Sequence, residues 1–92
     1  MKHEKCQAAL DVYLMYERGA DHFTAQLMRL WMKADSINRE KLHKSYPDEC
    51  DAMIEWNSTP KPWLFYGKYN ISELFRDSSE RQYYEQQMKS HL

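Results

Sequence analysis

His3 and Cys6 lie one helical turn apart, a separation at which an imidazole and a thiolate can share a metal ion. Cys50 and His43 offer a second pairing, a thiol with a base, and such partners need not be neighbours in the chain. Neither pair is extended by further ligands at a recognisable spacing. The chain has no H-E-x-x-H, C-x-x-C or EF-hand pattern, and its two isolated glycines, Gly19 and Gly67, cannot build a phosphate-cradling loop. Asp48, Glu49 and Asp51 bring three carboxylates together directly behind Pro47. Proline suits the first turn of a helix, and carboxylates there meet the positive end of its dipole. They are therefore expected to start a helix and not to bind a metal. The residues thus argue for a protein that is not an enzyme and has neither metal nor cofactor.

Two other groupings suggest binding. Arg29, Lys33, Arg39, Lys41 and Lys44 are a basic series that nucleic-acid phosphates could use, and helices meeting at Asp35-Ser36 would suit a helix-turn-helix. Glu40 and the acids that follow cancel much of that field, and the chain carries 13 Lys and Arg against 14 Asp and Glu for a net charge of −1. The second grouping is aromatic. Trp63, Phe65, Tyr66 and Tyr69 follow Pro60-Lys61-Pro62, which reads as a stiff extended stretch. Three Trp, seven Tyr and three Phe exceed what a 92-residue core needs, so part of this set is expected on a surface where a protein partner binds. Trp63 and Phe65 would point inward and Tyr66 and Tyr69 outward, with Tyr83 and Tyr84 as secondary contacts.

The elements that position these groups are helical. Few turn residues and many apolar steps of three and four favour a small all-α bundle of four to six helices in one domain, with an extended aromatic segment at about 60–69. The first helix is expected over about His3 to Arg18, ended by Gly19 in the left-handed conformation. Asp21 is the expected N-cap of the second, whose stripe of Phe23, Leu27, Leu30, Trp31 and Ala34, widened by Met28 and Met32, should form the centre of the core. Asp35 should cap a third helix, Pro47 should start a fourth, and Asn70 with Glu73 resembles a capping box. Asp77 with Glu80 repeats that box before a last helix with a narrow stripe that docks lightly or frays. Cys6 and Cys50 form no disulfide framework, no apolar run approaches the roughly 20 residues of a membrane span, and a cytoplasmic setting is expected.

The pattern Phe23-Thr24, Leu27, Leu30, Lys33-Ala34-Asp35, Asn38-Arg39, Leu42, Tyr46-Pro47 and Trp56 resembles one that recurs in small phage and prophage proteins, where the tyrosine position is often phenylalanine. The similarity covers about residues 23–56. It implies a setting, a bacterial host cell, and no mechanism. In that setting the expectation is a protein-binding module that occludes or regulates a host or phage protein, with defence components among the candidates. A small nucleic-acid-binding protein using the basic series is one alternative. A self-associating structural protein, with the last helix packed on its copy, is another.

Overall fold

The chain is described by a computed structural model over residues 2–91, with side chains described from residue 6 onward. Among the described residues there are six α-helices and no strand, so the all-α expectation holds. The helices are α1 (Lys2–Glu17), α2 (Phe23–Lys33), α3 (Ser36–Ser45), α4 (Pro47–Ser58), α5 (Pro62–Lys68) and α6 (Ser78–His91), with a 3-10 turn at Ile71–Leu74 between the last two.

The centre of the molecule is α1, not α2. Ala8, Ala9, Leu10, Val12, Tyr13 and Met15 are all buried. At about 100° per residue they cover roughly 220° of the helix circumference, far more than a one-sided stripe. The alanines let neighbouring helices approach, and α2, α4, α5 and the 3-10 turn all pack on this surface. Gly19 ends the segment at a φ of 67°, as expected of a residue without a Cβ.

Eight of the 13 aromatic rings lie in the core, while Tyr16, Phe23 and Tyr83 are exposed. Tyr13 is the hub, meeting Trp63, Tyr66, Phe75 and Tyr84 edge-on at centroid distances of 5.8, 5.3, 5.7 and 5.4 Å. Edge-to-face pairs contribute about 0.5–1.5 kcal/mol each beyond the area they bury. Burial pushes the phenols of Tyr13 and Tyr84 up to about 12, because a phenolate there would be poorly solvated. The last helix is anchored, not frayed: Tyr84 is buried, Trp63 stacks on His91 at 4.8 Å, and Arg18 of the α1 end reaches Glu80 at 3.2 Å.

Local signals account for most helix ends. Asp35 accepts the Asn38 N–H at 2.8 Å, Pro47 opens α4, and Asp48 and Glu49 occupy its first turn. Two expectations fail. The N-cap of α2 is His22, whose Nδ1 accepts the Ala25 N–H at 3.2 Å, one residue beyond Asp21. Asn70 makes no capping bond; it sits in the left-handed region at φ 53° and turns the chain into the 3-10 segment. At the last start Asp77 does cap locally, accepting the Ser79 N–H at 2.8 Å.

The segment at 60–69 is the main correction to the expected architecture. It is not extended but helical from Pro62 to Lys68, with Pro62 at the first position. A φ fixed near −65° serves a helix start as well as an extended path, so the prolines end α4 and then begin α5.

Candidate functional site

Burial separates the six expected partner-binding residues. Trp63, Phe65, Tyr66 and Tyr84 lie in the core, and Tyr66, expected outward, has no exposed surface at all. The physical reason is the helix: residues 63 and 66 fall three apart on one face of α5, so both meet Tyr13 instead of alternating in and out. Tyr69 is half-buried and donates its hydroxyl to Glu55. Tyr83 is partly exposed beneath the Arg18 guanidinium, 4.1 Å from its ring centroid. These six side chains do not form a shared exposed surface.

Three exposed apolar side chains lie on α2, where the core was expected, and others are spread over α1, α3, α4, α5 and α6. Ala25, Leu27, Met28 and Trp31 face inward. Phe23 is 66% exposed, Leu30 54% and Met32 44%. At about 100° per residue the inward set spans roughly 160° of the helix, and Phe23 and Leu30 continue the apolar arc by roughly 60° beyond it, past Leu27 at the boundary. The signal for this surface was present as an apolar arc too wide for one stripe.

That arc forms one wall of an open groove, and α3 forms the other. Ala34 and Asp35 join the two helices, and Phe23 at the start of α2 meets Tyr46 at the end of α3 with ring centroids 5.9 Å apart. The chain therefore reverses direction, and a groove of about 550 Å³ runs between Phe23, Leu27 and Leu30 on one side and Leu42 and Tyr46 on the other. It continues as a hollow of about 600 Å³ past Leu30 and Leu42 to Ala34, Asn38 and Lys41. α3 buries none of its residues fully, so this wall is held by the turn, by α4 and by one cation. The cation is Arg39, which donates to the Trp31 and Met32 carbonyls at 2.9 and 3.2 Å and lies 4.0 Å over the Trp31 ring.

The basic series divides accordingly. Arg39 is committed to the end of α2, Arg29 donates to the Met15 carbonyl at 3.2 Å, and Lys44 stands 4.0 Å from Glu40. Lys33 and Lys41 line the groove and have no ion-pair partner among the described residues. Asp35 lies on the same lining, where with Arg29 the two lysines leave three cations to one carboxylate. The groove is thus apolar on its floor and positive along its rim.

The chemical pairings considered from sequence find other partners. His43 Nε2 lies 2.7 Å from Asp51, and burial pushes the Cys50 thiol up, away from the thiolate form a nucleophile needs. The His3 side chain lies outside the described residues. Among those described, no group of three or more His, Cys, Asp and Glu is placed to hold a metal ion, and no helix is long and apolar enough to cross a membrane. The acidic hollow beside α4, lined by Asp48, Asp51, Glu55 and Tyr69, measures about 30 Å³, far smaller than the groove.

No known protein family, characterised protein or solved structure matches the chain.

Proposed function

We propose that the chain is a non-enzymatic protein-binding module of phage or prophage type, which occludes or regulates a host or phage protein through the α2–α3 groove. The observation that carries the reading is the exposure of Phe23 and Leu30 beside Leu42 and Tyr46, apolar side chains that a folded chain usually buries. The sequence resemblance points to the same place. Of the residues that carry it, Phe23, Leu27, Leu30, Lys33, Ala34, Asp35, Asn38, Leu42 and Tyr46 line the groove or its continuation.

The shape suits an apolar segment of another protein better than a small substrate. The groove is shallow and open along its length, and its lining converges no nucleophile or base on one point. Nucleic acid is the weaker occupant: Arg29 and Arg39 direct donors at backbone carbonyls, Asp35 and Glu40 lie among the five cations, and the chain carries a net charge of −1. Phosphate affinity grows with the number of cations that displace counterions.

Affinity capture from phage-infected or prophage-carrying cells tests this, with wild type compared against Leu30→Asp. Leu30 is more than half exposed, so the aspartate disturbs the groove and leaves the core intact. A protein retained by wild type and lost by Leu30→Asp, at unchanged thermal midpoint, is the expected result. A partner retained equally by both would remove the groove from its binding, and nucleic acid retained at low salt in its place would favour the alternative.

A further inference from the structure

We infer that the occupant of the α2–α3 groove is an acidic amphipathic helix of a partner protein, its apolar face on Leu27, Leu30 and Leu42 and its carboxylates on Lys33 and Lys41. This rests on the docking reading above and adds the conformation and the charge of the partner.

The conformation follows from the walls. Both are helices, whose backbone groups are mostly satisfied within themselves. An extended peptide laid there would bury its own N–H and C=O groups without partners, whereas a helix brings its hydrogen bonds with it. The dimensions agree. Phe23, Leu27 and Leu30 stand at i, i+4 and i+7, and the eleven residues of α2 extend about 16 Å, room for about three turns of a helix lying alongside.

The charge follows from the rim. Lys33 lies where the groove meets its continuation, and Lys41 faces the same hollow from α3. Covering either ammonium with an uncharged helix would strip its water without compensation, and a basic helix would add repulsion. A carboxylate at each position supplies the missing partner.

The test uses the full chain, 15N-labelled, and two synthetic helical peptides with one leucine pattern, one carrying glutamates on the polar edge and the other lysines. The glutamate peptide is expected to shift the amide resonances of Leu30, Lys33 and Leu42. The Lys33→Glu, Lys41→Glu double variant should weaken it by at least about tenfold and bind the lysine peptide in its place. Equal binding of both peptides would overturn the charge assignment and leave the docking reading standing. Shifts confined to residues outside the groove, or no shift with either peptide, would overturn both. Dimerisation of the free chain that Leu30→Asp abolishes would make a second copy the occupant. Tighter binding to a duplex of about 20 base pairs than to either peptide would make it nucleic acid.

Discussion

Replacing Tyr66 by alanine separates an aromatic core from an aromatic contact surface. The ring has no exposed surface and lies 5.3 Å from Tyr13, 5.2 Å from Trp63 and 5.9 Å from Phe65 between centroids. Truncating a buried aromatic side chain to alanine costs about 3–5 kcal/mol through lost transfer energy and the cavity left behind. The edge-on pairs place this site toward the upper part of that range. A chain of this length has a total stability of about 5–15 kcal/mol, so Tyr66→Ala should consume a third or more of it. For a domain this small, the thermal midpoint should fall by about 15 °C or more. Tyr66→Phe isolates the hydroxyl, which donates to Glu17 at 3.0 Å, and should cost about 1 kcal/mol because the carboxylate keeps access to water. Urea denaturation followed by far-UV circular dichroism measures both. If Tyr66→Ala lost less than about 1 kcal/mol, the ring would be behaving as a surface residue and the packing argument would fail.

Three further perturbations probe the scaffold. Tyr13→Phe should be neutral or stabilising, because the Tyr13 hydroxyl is buried without a hydrogen-bond partner; a clear drop in the urea midpoint would show that the hydroxyl is satisfied in solution. Gly67→Ala should raise stability by about 0.5–1 kcal/mol, since Gly67 is helical and an added Cβ would meet the Met88 methyl at an ordinary 3.5 Å; destabilisation would mean that α6 sits closer to α5. Burial holds the Asp11 carboxyl above its ordinary range against the opposing pull of Gln7, so the folded state keeps that proton longer than the unfolded chain. The resulting penalty is absent below the ordinary carboxylate range and is incurred as pH rises through the raised value. Asp11→Asn should therefore match wild type at about pH 3 and exceed its stability at about pH 7, and a constant difference between the two would contradict this sign.

Helix starts and stops were legible because they are local. The Asp35 side chain needs only the N–H of Asn38, and Gly19 needs only its own missing Cβ. What could not be read locally was direction. The apolar residues of α2 announced a helix, but nothing within that segment says that Met28 and Trp31 are buried while Phe23 and Leu30 face the groove. The abundance of rings after Pro60 was visible too. Its destination depended on contacts made across the chain by Tyr13, which no local pattern reports. The groove is hidden from the sequence for the same reason: Phe23 and Leu30 carry the apolar spacing of a core stripe, while Tyr66 and Tyr84 take places in the core.

The most direct measurement is the affinity of a captured partner for wild type and for Leu30→Asp, by calorimetry at matched folding. Leu30 is 54% exposed, and covering the rest of a leucine contributes on the order of 1 kcal/mol before the cost of burying a carboxylate in its place. Together these predict at least a tenfold, and about a hundredfold, loss of affinity. An unchanged dissociation constant, with the variant folded and its thermal midpoint intact, would show that the α2–α3 groove is not where this protein meets its partner.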